Sequence, residues 1–197
     1  MNYLFLHGLA GDPGNWDTTA KLLESSGHKC FAPSIGYLTW KFESLCELSE
    51  RMKKHIPYPY LDESSIIVGN SLGGALALEL GGRSRGIVLV ASYIGTSTRW
   101  IGRGLDTLHK EMKKMFFDPD ILTLKQMKQY EALWLKHTSS REQFKKLIAV
   151  KIATERLDLE RHYSEKQEKI LAICGSHDQI SPVSQFYKLQ KTNNVGE

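Results

Sequence analysis

Residues 64–80 read SSIIVGNSLGGALALEL, and no other stretch limits the fold as tightly. A β-branched run, Ile66-Ile67-Val68, stops at Gly69. After Asn70-Ser71-Leu72 and a glycine pair, the chain resumes with alanine and leucine, which favour helix. Almost no loop separates the two elements. A strand that passes straight into a helix is the repeating unit of a parallel sheet with crossover helices. Glycines on either side of one serine mark places where backbone must approach backbone closely.

The rest of the chain repeats this alternation. Apolar runs predict strands over Tyr3–Leu6, Lys29–Ala32, Ser65–Val68, Ile87–Ala91 and Lys169–Cys174. Helical spacing predicts helices over Asn15–Ser25, Phe42–His55 and Leu72–Leu80, with a further helix from Pro182 through Gln190. Residues 100–165 carry no strand pattern. They hold the amphipathic stretches Leu105–Phe117, Leu122–His137 and Arg141–Glu155. The expected fold class is α/β: a mostly parallel sheet with helices on both faces and an inserted all-helical cap. The core is expected over 1–98 and 166–197, and the cap over 99–165.

Composition narrows the function classes. The 197 residues are 41% hydrophobic and 24% charged, as in an ordinary globular domain. No apolar run is long enough for a membrane span, and the N-terminus lacks the charged and apolar regions of a signal peptide. Cys30, Cys46 and Cys174 form no metal-ligand spacing and leave one thiol over, so neither a zinc site nor a disulfide framework is expected. Reduced thiols point to the cytoplasm. Between Arg99 and Lys151 there are 12 Lys or Arg against 6 Asp or Glu, within a net charge of +4. This basic excess suits solvated helix faces or an acidic partner. It is not interleaved with exposed aromatics as a nucleic-acid module would be.

Gly69-Asn70-Ser71-Leu72-Gly73 fits G-x-S-x-G, the nucleophile elbow. A serine at the tip of a tight strand-to-helix turn is exposed at the carboxyl edge of the sheet. The helix that follows turns its free N–H groups toward any negative charge formed there. With this motif the chain resembles the α/β-hydrolase superfamily. Two further segments carry the resemblance. YLFLHGLAGDPGNW, residues 3–16, is similar to the family's H-G loop, and ILAICGSHDQISP, residues 170–182, is similar to its G-x-x-D-x-x-x-P segment.

The resemblance implies Ser71 as nucleophile and Asp178 as the acid that orients a histidine. It implies the backbone N–H groups of Leu9 and Leu72 as the oxyanion hole. His7, Gly8, Gly69 and Gly73 are its supporting motif residues, with His7 ordering the loop and moving no proton. No metal and no organic cofactor is implied.

One member of this set is missing. In the family the base histidine follows the acid, on the loop after the last strand. No histidine follows Asp178 among these residues. His177 adjoins the acid in sequence and is poorly placed for the role, and His109, His137 and His162 lie in the helical block. The expectation is therefore that the native protein continues into a final strand, a histidine loop and a helix.

The expected chemistry is acyl transfer to water from a small-molecule carboxylic ester or thioester, in a cytoplasmic protein. Residues such as Trp100, Met112, Phe116, Tyr130 and Trp134 suit an apolar acyl pocket, and the basic excess suits an acidic carrier such as acyl carrier protein. Three classes stay open at this point: an esterase or thioesterase; a non-hydrolytic lyase or acyltransferase of the same fold; and a ligand-binding relative lacking the catalytic histidine.

Overall fold

All five expected strands form, and they pair in parallel in the order β2-β1-β3-β4-β5. They are β1 (Asn2–Leu6), β2 (Lys29–Phe31), β3 (Ser65–Asn70), β4 (Gly86–Val90) and β5 (Ile170–Ile173). The computed structural model describes residues 1–36, 41–92, 104–115, 122–155, 162, 165–166 and 169–187. Trp100, Phe116, Phe117, the expected core–cap boundary at 98/99 and the C-terminal residues from 188 onward lie outside them.

The central strands are near-continuous apolar runs because helices cover a parallel sheet. Leu4, Phe5 and Leu6 of β1 and Ile67 and Val68 of β3 are all buried. In register, Leu6 stands beside Gly69 and Asn70 beside Val90, so the carboxyl ends of β1, β3 and β4 lie side by side. The chain runs from β1 outward to β2, then returns across β1 to β3. Strand order therefore reverses between β1 and β3, the place where open parallel sheets leave a crevice for ligands.

Helices α1 (Asp17–Ser25), α2 (Leu45–Lys53) and α3 (Leu72–Leu80) belong to the crossovers. The expected helix at Asn15 is split: Pro13–Trp16 is a 3-10 turn capped by Asp12, and α1 follows it. Proline early in the turn and the Asp12 cap explain the tighter start. Helix α3 is buried on nearly every side, as its composition (LGGALALEL) demands, and packs on β1, β3 and β4. Ser44 caps α2, which rests against α3 through Leu45, Leu48 and Met52.

Between β4 and β5 come α4 (Leu105–Met115), α5 (Leu124–Thr138) and α6 (Arg141–Glu155). They pack in series, α4 on α5 and α5 on α6, and α6 touches α2. Helix α5 starts two residues later than its apolar pattern suggested, because Thr123 and Gln126 form a reciprocal cap. Among the described residues no helix is long and apolar enough to cross a membrane.

Candidate active site

Ser71 sits between β3 and α3 with φ 51° and ψ −116°. Positive φ is unfavourable for any residue with a Cβ, and the conformation persists only because its surroundings impose it. Those surroundings are unusually close. A Cβ at Gly69 would meet the Gly73 carbonyl, and a Cβ at Gly73 would meet the Leu6 carbonyl. The two motif glycines thus let strand, turn and helix touch backbone to backbone. Gly74 instead leaves room for the Ser92 side chain, a requirement the motif does not announce.

The elbow is tied to β4. The Ser71 amide donates to the Val90 carbonyl at 3.2 Å, and Asn70 Nδ2 donates to the same oxygen at 3.0 Å. Ser92 Oγ donates to the Gly69 carbonyl at 3.1 Å. Ser71 itself is half-buried, at the carboxyl end of β3.

The loop after β1 lies against the serine. A Cβ built on Gly8 would come within 3.3 Å of Ser71 Cβ and 2.8 Å of Asn70 Oδ1, so a side chain there would have to push aside Asn70 and crowd Ser71. His7 is buried, with Nδ1–H donating to the Gly8 carbonyl at 2.9 Å and Nε2 accepting from the Ile35 amide at 3.1 Å. Both ring nitrogens are taken by main chain, which fixes the neutral tautomer. Burial also lowers the His7 pKa, and the Gly8 bond opposes this only in part. His7 therefore shapes the loop, and its ring nitrogens are not available as a base. Leu9 lies in a turn closed by Gly11 N–H to the Gly8 carbonyl, with Ala10 at φ 57°. Leu72 is the first residue of α3, and its N–H belongs to the set with no acceptor inside the helix.

Asp178 lies on the turn after β5. Its Oδ1 accepts from the Ile180 amide at 2.7 Å and the Ser181 amide at 2.9 Å. Ser181, itself buried, donates through Oγ to the Ala91 carbonyl at 2.8 Å. This turn therefore stands at the end of the same strand, β4, that holds the elbow.

The remaining histidines have other settings. His28 contacts the ring of Tyr3, His109 Nε2 lies 2.9 Å from Glu131, and His162 Nε2 lies 3.0 Å from Glu79. His177 Nδ1 lies 3.0 Å from Ser176 Oγ. His137, in the last turn of α5, is buried close enough to the β1 loop for His7 and Asp12 to influence its protonation. Among the described residues no group of three or more His, Cys, Asp or Glu side chains is gathered as a metal site would be. Asn70, Ser92 and Ser181 escaped the sequence reading. Each is an ordinary polar residue whose partner is distant in sequence or lies on another strand.

Comparison with known proteins identifies the family and the fold. The profile of the α/β hydrolase family matches residues 3–192. No curated protein matches the sequence at a significant level. Among solved structures, MGS-M2, an α/β hydrolase enzyme from a Medee basin deep-sea metagenome library, is 19% identical with a TM-score of 0.72, covering 96% of this chain and 76% of its own. A bacterial membrane phospholipase A is 14% identical with a TM-score of 0.74, covering 96% of this chain and 67% of its own. A structure from a study of carboxylesterases of the thaumarchaeon Nitrososphaera gargenis is 15% identical with a TM-score of 0.65, covering 98% of this chain and 78% of its own. With the G-x-S-x-G turn, the H-G loop and the Asp178 turn at the carboxyl ends of the parallel strands, and with the family profile spanning nearly its whole length, the chain belongs to the α/β-hydrolase family.

Proposed function

We propose that the protein is a serine hydrolase that cleaves a carboxylic ester or thioester through an acyl-enzyme. The observation that carries this reading is the strained, half-buried Ser71 at the end of β3, with the Gly8 loop pressed against it. Ser71 Oγ attacks the acyl carbonyl, and the Leu9 and Leu72 amides receive the developing oxyanion. Such a donor is worth about 3 kcal/mol in transition-state stabilisation. The C–O or C–S bond then breaks, the alcohol or thiol leaves, and water releases the acid from Ser71.

The proton on Ser71 must pass to a base that Asp178 orients, and the family pattern puts that base on a histidine loop after the acid. His7 does not qualify, because both its nitrogens are bonded to main chain. Helices α4 to α6 act as a cap in this reading and supply part of the acyl pocket, through side chains such as Met112, Tyr130 and Trp134. The basic excess of residues 99–151 supports an acidic carrier on the acyl group.

The test uses the full chain. It should hydrolyse short p-nitrophenyl esters, and Ser71→Ala should abolish turnover while leaving the fold intact. Undiminished turnover in that variant would overturn the reading. The carrier is tested by Lys113→Glu with Lys114→Glu, which should slow a carrier-bound substrate and spare a small ester.

A further inference from the structure

Three hydrogen-bonding residues at the end of β4 connect parts of the site that are remote in sequence. Val90 contributes its carbonyl, which accepts from the Ser71 amide and from Asn70 Nδ2. Ala91 contributes both backbone groups: its N–H donates to the Ile173 carbonyl of β5 at 2.8 Å, and its carbonyl accepts from Ser181 Oγ. Ser92 contributes its hydroxyl, which bonds the Gly69 carbonyl just before the elbow. Ala91 takes φ 43°, a conformation unfavourable for alanine, so the chain there is held and not merely resting. Ser92 and Ser181 are both 1% exposed, and water does not compete for their bonds.

We propose that residues 90–92 form a splint that fixes the distance between nucleophile and acid, with Ser181 as its positioning residue on the acid side. The Ser181 amide holds Asp178 Oδ1, and the Ser181 hydroxyl holds the strand end that holds Ser71. Two contacts of one residue therefore join the carboxylate to the elbow through a single strand terminus. The catalytic consequence rests on the serine-hydrolase reading; the mechanical coupling does not. A triad transmits orientation from acid to base to nucleophile, and misplacement of about 1 Å costs up to about 100-fold in rate. The splint is the part of this chain that sets that spacing.

Ser181→Ala removes the hydroxyl bond and keeps the amide bond to Asp178. Ser181→Thr keeps the hydroxyl and serves as the rescue. Hydrogen exchange on the full chain should show faster exchange in residues 176–182 and also in residues 69–74, by about fivefold or more, the factor that one typical buried hydrogen bond supplies. Labelling of Ser71 by a fluorophosphonate should slow about 10- to 100-fold, and Ser181→Thr should recover both signals. Acceleration confined to 176–182, or an unchanged labelling rate, would overturn the splint. A wild-type chain that takes no label would instead overturn the serine-hydrolase reading, while the exchange comparison still decides the coupling.

Discussion

Mild acid should weaken this fold before carboxylates titrate, and His137 is the residue to test. Its pKa is driven down from 6.5 to about 4, first by burial, then by the neighbouring Lys136 charge and by His7, with Asp12 pulling the other way. In the unfolded chain the ring takes a proton at its ordinary pKa. In the folded chain it refuses the proton until the pH nears the lower value. The unfolded state therefore binds more protons between these two values, and stability falls as pH falls through that window. It is complete above the upper value. Worked through for one site, the loss between about pH 7.5 and about pH 5 is about 2 kcal/mol. His7, also held below its ordinary pKa by burial, adds a loss of the same sign. Urea unfolding at the two pH values measures the total, and His137→Gln isolates the share of one ring. The variant should lose about 2 kcal/mol less than wild type over the same interval. An equal loss in both proteins would show that α5 does not bury a neutral imidazole against the β1 loop.

Ser71→Gly should stabilise the protein by about 1 kcal/mol, because glycine adopts the elbow's positive φ without strain. The gain is readable as a rise of about 2–4 °C in melting temperature, and Ser71→Ala should show little of it. Gly73→Ala should cost about 1–3 kcal/mol, since the new methyl group meets the Leu6 and His7 carbonyls and nothing there can give way cheaply; denaturant midpoints measure it. Asp178→Asn keeps an oxygen for the Ile180 and Ser181 amides and so should spare the fold, yet on the proposed mechanism it should lower kcat about 10⁴-fold, because the amide holds the base histidine in the wrong tautomer.

The parts of this site that could be read from sequence are those whose geometry is local. Gly69, Ser71 and Gly73 fall within one turn, and the steric demand of that turn dictates its residue types. His7-Gly8 and Asp178 were legible through their resemblance to family segments at strand ends. What stayed hidden depends on pairing between remote segments. Nothing local to Ser92 shows that its hydroxyl will meet Gly69, nor that Gly74 must lack a side chain to make room for it. Ser181 bonds a carbonyl 90 residues away, which only the β4–β5 pairing brings near. His137 closes the stretch Leu122–His137 in sequence, and only tertiary packing buries it.

The central claim is that Ser71 is poised to form a covalent bond with an acyl group. Mixing the full chain with an excess of a slowly turned-over activated ester and quenching in acid should leave one acyl group per molecule, located by peptide mass on the segment containing Ser71. An unmodified chain, or an acyl group carried on any other residue, would contradict the account.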